Sequence, residues 1–157
     1  MEIRKIEPRD FAIVAQLENE NWLQSSTPVI IDSTAEKIID KLSKGVRYYL
    51  AVENGEILAV LDFQEKYPFP SGAQTLLFGL MVKKEERHKG IGQALIHFLI
   101  ELAQKENYKK ISMAALGSNP QALHFYEKLG FILEGKQSKE FFINEQWVDN
   151  YWYAYFL

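Results

Sequence analysis

Between Leu76 and Ala103 the chain passes from an unbroken apolar block into a basic, glycine-punctuated loop and then into a strongly periodic segment. The block Leu76–Val82 is short and followed by Lys83 and Lys84, which predicts a strand covered on both faces. Beyond the loop, Ile91, Ala94, Leu95, Phe98, Leu99, Leu102 and Ala103 recur at helical spacing and form one apolar stripe. A polar turn over 107–110 then leads into a short apolar strand, Ile111–Leu116. Strand, helix, strand is a right-handed crossover unit, so the two strands are expected to run parallel in one sheet.

The loop inside that unit is Arg87-His88-Lys89-Gly90-Ile91-Gly92. Its glycines let the backbone turn tightly and approach a ligand without an intervening Cβ. The first amides of the following helix lack intrahelical partners and are ready donors for an anion. Lys83, Lys84, Arg87 and Lys89 add positive charge, and together these features read as a diphosphate cradle. The Walker pattern G-x-x-x-x-G-K-[ST] is absent, as is the dinucleotide fingerprint G-x-G-x-x-G, which disfavours a nucleotide-binding regulator.

Length and composition narrow the setting. A chain of 157 residues, 47% hydrophobic and 25% charged, has the material for one domain, residues 1–157, with a substantial core. A net charge of −3 gives no support to nucleic-acid binding. No apolar run reaches the ~20 residues of a membrane span, and Met1–Arg4 lacks the core of a signal peptide, so a cytoplasmic location is expected. The absence of cysteine rules out disulfides and thiol nucleophiles, and three scattered histidines suggest no metal site.

Elsewhere, Glu2–Glu7 reads as a first strand ended by Pro8, with Asp10 as N-cap of the next helix. Ser33-Thr34-Ala35-Glu36 reads as a capping box, and Gly45 as the stop of that second helix. Asn54-Gly55 joins apolar runs at 48–53 and 56–65 and predicts a hairpin with a type I′ turn. Asp62, Gln64 and Glu65 interrupt the second run, as if the strand left the core there. Asn119 caps a further helix with Pro120 in its first turn and Gly130 at its end. Phe131–Leu133 starts another strand, and 146–157 forms a last one rich in aromatics. So apolar a strand needs cover, which suggests a homodimer at that end of the sheet.

R-x-x-G-x-G after a strand, followed one strand later by N-P-x-A-x-x-F-Y-E-K-L-G-F (Asn119–Phe131), resembles the two coenzyme A-binding segments of the GNAT acetyltransferase superfamily. The resemblance implies a single-domain α/β (α+β) fold, in which helices flank a mixed, mostly antiparallel sheet. The parallel central pair in that sheet splays apart. It implies acetyl-coenzyme A as cosubstrate and the primary amine of a small molecule or peptide as acceptor. Main-chain groups of Leu80, Met81 and Val82 would pair with the pantetheine arm. Amides of Arg87, His88, Lys89, Gly90, Ile91 and Gly92 would hold the diphosphate. Asn119 and Phe125 would contact the coenzyme, and Tyr126 would stand beside the thioester sulfur as the acid.

Acyl transfer to an amine also needs a base or a water relay, because a free aliphatic ammonium has a pKa near ~10.4. Many relatives carry an acidic residue on the fourth strand, but Thr75–Val82 contains none. Asp62 and Glu65, on the neighbouring strand, are the substitutes. The missing carboxylate leaves a second reading open, a coenzyme A-binding sensor or scaffold without turnover.

Overall fold

The computed structural model describes residues 1–157. Seven strands form one sheet: β1 (Glu2–Lys5), β2 (Arg47–Glu53), β3 (Glu56–Glu65), β4 (Thr75–Val82), β5 (Lys110–Leu116), β6 (Ile132–Ile143) and β7 (Gln146–Phe156). Their spatial order is β1-β2-β3-β4-β5-β7-β6, and only β4 and β5 pair in parallel. Helices α1 (Phe11–Asn21) and α2 (Ala35–Ser43) cover one face of the sheet. Helices α3 (Ile91–Lys105) and α4 (Pro120–Lys128) cover the other.

Alternation along the strands feeds two separate cores. Tyr48, Leu50, Val60 and Met81 pack under α1 and α2 with Val14, Leu17 and Ile38. Tyr49, Leu61, Phe63, Leu76 and Phe78 pack under α3 and α4 with Leu95, Leu99, Tyr126 and Phe131. The β2–β3 hairpin turns through Asn54 and Gly55, both at positive φ (51° and 83°), as a type I′ turn requires.

The parallel pair holds register only at Thr75/Lys110, Leu76/Ile111 and Leu77/Ser112. Beyond that point β4 runs on to Val82 still paired with β3, while β5 runs on to Leu116 paired with β7. A gap therefore opens between the upper halves of β4 and β5, and this is the splayed pair that the motifs imply.

Three local expectations are corrected. Thr34, not Ser33, caps α2, accepting from the Lys37 amide at 3.2 Å. The helix starts one residue later than the capping-box reading places it, which frees the Ser33 hydroxyl to donate to Glu18. Asp10 makes no cap bond to α1; its carboxylate takes the Arg4 guanidinium at 2.7 and 3.0 Å and the Glu7 amide at 2.8 Å. The bond to Arg4 holds the Asp10 carboxyl below the usual range. Finally, the aromatic β7 lies inside the sheet between β5 and β6. The chain covers both of its edges, so those aromatics do not by themselves require a partner, and β6 is the exposed edge.

Candidate active site

The site forms where β4 and β5 part. Thr75 and Lys83 bond toward β3, whereas the Gln74 carbonyl bonds toward β5. Successive residues of a strand point their backbone groups to opposite sides, so Phe78, Leu80 and Val82 turn theirs into the gap. Of the three residues expected to pair with an added strand, Leu80 and Val82 present free edges. Met81 bonds toward β3 and is only 3% exposed. The Val82 carbonyl already accepts from Arg87 Nε at 3.3 Å.

The loop after β4 leads into α3 through His88 (φ 64°) and Gly90 (φ 83°). The first helical bond is Ala94 N–H to Gly90 O, so the amides of Ile91, Gly92 and Gln93 begin the helix unpaired. Gly90, the N-cap, brings no side chain to occupy them. A Cβ on Gly92 would lie 3.3 Å from Phe125 and 3.5 Å from both Leu80 and Val82. The two motifs thus converge: the loop glycine, the open edge of β4 and the α4 aromatic meet in one place. Lys89 pairs with Glu86 at 3.0 Å, and Lys83 stands 4.0 Å from Glu56. Lys84 and Arg87 hold no carboxylate, so their side chains and the unpaired amides are the free donors for an anion.

Asn119 caps α4 by accepting from Ala122 N–H at 3.3 Å. Tyr126 is 7% exposed and packs edge-on against Phe78 (5.7 Å), Phe125 (5.0 Å) and Phe131 (5.5 Å). Burial alone raises its pKa, so the phenol is a neutral donor at any working pH. Glu127, the next motif residue, has a role that the sequence did not reveal. It accepts from the Tyr153 hydroxyl at 2.7 Å and so ties α4 to β7.

The opposite face of the same stretch is acidic. Asp62 is registered against Gly79 of β4 and Tyr48 of β2. A Cβ on Gly79 would fall 2.7 Å from Asp62 Oδ1 and 2.8 Å from Trp22 Cη2. The glycine therefore leaves room for a carboxylate from β3 to lie over β4, beneath the Trp22 ring. This arrangement brings a carboxylate over a strand that carries none of its own.

Burial, opposed by Lys41 and reinforced by Glu18, pushes the Asp62 carboxyl up to about 7. Glu18 is itself buried, and the Tyr48 hydroxyl beside these groups has no hydrogen-bond partner. Burial and then the negative charge of Asp62 raise the Tyr48 pKa as well. Glu65 does not join them. An odd number of residues from Asp62, it points to the α3 face and accepts from Tyr108 at 3.5 Å.

Residues 78 and 79 of β4 are thus flanked by a phenol donor on one face and a carboxylate poised near neutrality on the other, beside the gap between β4 and β5. Residues 9–131 match the profile of the acetyltransferase (GNAT) family. The chain belongs to that family.

The L-amino acid N-acetyltransferase AaaT of Escherichia coli (strain K12) is 24% identical over 97% of this chain and 95% of its own. The crystal structure of smu.2055 from Streptococcus mutans UA159 is 38% identical, with a TM-score of 0.96 over 99% of both chains. A GNAT superfamily phosphinothricin acetyltransferase from Sinorhizobium meliloti, solved in complex with AcCoA, has a TM-score of 0.89 at 18% identity. That comparison covers 99% of this chain and 88% of that one. The family carries the reaction class: acetyl-coenzyme A is the cosubstrate and an amine the acceptor. The open edge of β4, the unpaired α3 amides and the bare Cα of Gly92 suit a thioester arm ending in a diphosphate.

Proposed function

We propose that this enzyme acetylates the primary amine of a small molecule by direct transfer, with Asp62 as base and Tyr126 as donor to the departing sulfur. The observation that carries this reading is the flanking of residues 78–79 from both faces at the mouth of the gap. The diphosphate takes the amides from His88 to Gly92, since the Arg87 amide already bonds the Lys84 carbonyl; the pantetheine arm takes the backbone edges of Leu80 and Val82, and Asn119 and Phe125 line the same arm. The amine enters from the face that carries Asp62.

Asp62 takes a proton from the acceptor's ammonium, the free amine attacks the thioester carbonyl, and the second nitrogen proton passes to solvent as the tetrahedral intermediate collapses to the amide. The new carbon–nitrogen bond replaces the carbon–sulfur bond, and the sulfur leaves as a thiolate on the face that carries Tyr126. Comparing pKa values refines the role of Tyr126. A thiol titrates near ~8.5 and an ordinary phenol near ~10, so full proton transfer from this raised phenol to the thiolate is uphill. Tyr126 therefore stabilises the thiolate by donating a hydrogen bond, and solvent supplies the proton afterwards.

The sensor reading draws on the absence of a carboxylate in β4, and Asp62 over Gly79 removes that argument. Thiol release from acetyl-coenzyme A across a panel of amines, with mass-spectrometric detection of acetylated product, tests the proposal. Tight coenzyme binding without product from any amine would restore the sensor.

We also retain the cytoplasmic location and the homodimer as proposals. The candidate contact moves to the edge strand β6, where Ile132 and Leu133 are exposed at one end and Phe142 packs beside the exposed Trp147 at the other. Cell fractionation and light scattering test the two.

A further inference from the structure

Lys66 follows directly after β3, and its amide bonds the Thr75 carbonyl at 2.8 Å. Its side chain crosses to the β5 side of the sheet. There Nζ donates to Ser112 Oγ at 3.0 Å and sits 4.1 Å from the Trp152 ring centroid and 5.4 Å from that of Tyr67. Ser112 is fully buried. This ammonium is half-buried and held at its tip by a hydroxyl and two aromatic faces, unlike a lysine that merely reaches for water. It forms no ion pair, whereas Arg47, Lys110 and Lys136 nearby in the sheet each hold a carboxylate. An ammonium has three donors, so two remain available to an anion.

The surroundings show where the missing anion belongs. Trp152, which carries the ammonium, also lines a cavity of about 220 Å³ together with Ala114, Leu116, Asn150, Ser26 and Pro28. That is below the ~300–1,000 Å³ of sites for drug-sized ligands and suits a small metabolite. Ala114 lies two residues beyond Ser112, as Gly79 lies two beyond Leu77, so cavity floor and base stand level across the gap. Strand geometry puts Ser112 roughly 8 Å from Gly79, from one inter-strand step and two residues of rise. A molecule with an amine and a carboxylate on the same or adjacent carbons, hydrogen-bonded at both ends, spans about that distance.

We infer that Lys66 is a specificity-determining residue that binds the carboxylate of the acceptor, so that the substrates are free amino acids and not polyamines. The inference rests on the proposed acetyl-transfer site and adds a second charge to it. The amine lies toward Asp62 and the carboxylate toward Lys66, and a polyamine would bring a second cation against an ammonium that has no counter-ion.

The test is calorimetric titration of the coenzyme A-saturated enzyme with L-amino acids, their methyl esters and spermidine. The wild type, Lys66→Met and Lys66→Arg are compared, and product formation is assayed in parallel with acetyl-coenzyme A. Lys66→Met keeps an unbranched side chain of similar length but removes the ammonium that sits over Trp152, and Lys66→Arg keeps the charge. The wild type is expected to bind at least one free amino acid ~10-fold or more tighter than its ester, as a hydrogen-bonded charge predicts. In Lys66→Met that ratio falls to about one, and Lys66→Arg restores most of it.

An intact ratio in a folded Lys66→Met protein overturns the inference. So does a wild type that binds no free amino acid, or that binds esters or spermidine as well as it binds acids. Selective, Lys66-dependent binding without acetylated product would leave the inference standing and remove the acetyl-transfer reading instead.

Discussion

On the α3/α4 face, what lies beside the gap is backbone, glycine and aromatic carbon: the α3 amides, Gly92, Phe125 and Tyr126. On the α1/α2 face, the same stretch of β4 meets two carboxylates, a buried phenol without a partner and an indole. The first face suits a cosubstrate whose diphosphate and amide arm can be held by main chain, which constrains few side chains. In the proposed reaction the second moves a proton and distinguishes acceptors, and only side chains can do that. Position along the chain differs in the same way. The first face comes from two compact motifs, whereas Glu18, Trp22, Tyr48, Asp62 and Gly79 are gathered from across sixty residues of sequence.

Three substitutions would break or sharpen this contrast. The largest effect is expected from Gly79→Ala. Its Cβ collides only with the tips of Asp62 and Trp22, so the sheet should survive while the carboxylate moves. Turnover should fall by about 10²-fold, the lower end for loss of a positioned base, with coenzyme affinity unchanged. Steady-state kinetics beside a coenzyme titration checks both halves, and an equal fall in affinity would merge the two faces into one site.

Gly92→Val is the converse. A branched side chain would crowd Phe125, Leu80 and Val82, and overpacking of ~1–3 kcal/mol corresponds to roughly 10- to 10²-fold weaker acetyl-coenzyme A binding. Calorimetry should show that loss with a native far-UV spectrum. Tyr126→Phe should be the mildest, since it keeps the ring contacts and deletes one neutral donor. A loss of about 10-fold in kcat, with KM and Tm nearly unchanged, matches a hydrogen bond of ~1.5 kcal/mol made as the sulfur departs.

How much was legible follows the same division. The β2–β3 pairing could be read next to the two-residue Asn-Gly turn, although a bulge between Ala51 and Val52 shifts it by one residue farther out and sets Asp62 opposite Tyr48. The β3–β4 register could not, because residues 66–74 form a long, proline-containing connection that leaves the pairing undetermined. Without that register, Gly79 is a mere interruption in an apolar strand, and Asp62 cannot be set apart from Glu65. With it, strand alternation sends Asp62 to the acceptor face and Glu65 to the other. Lys66 had no sequence signal, since its partners Ser112 and Trp152 come from strands far along the chain. The candidate contact for the homodimer moved from β7 to β6 for a similar reason. Strand order placed β7 inside the sheet, and strand order is set by long-range pairing.

We propose that a carboxylate delivered from β3 across Gly79 is the base, and the pH dependence of kcat/KM tests that assignment. Its pKa is raised to about 7, so the folded protein holds a proton that the unfolded chain releases near ~4. Two consequences carry opposite signs. Between about pH 4 and 7 this group makes the protein less stable as pH rises, so Asp62→Asn should gain Tm relative to wild type over that window. Activity should rise as the same group ionises, and kcat/KM reports the free enzyme. The wild-type profile should therefore break near pH 7, and the profile of folded Asp62→Asn should lack that break and lie at least ~10²-fold lower at pH 8. A break near pH 7 that persists in Asp62→Asn would contradict the account and assign the base to another group.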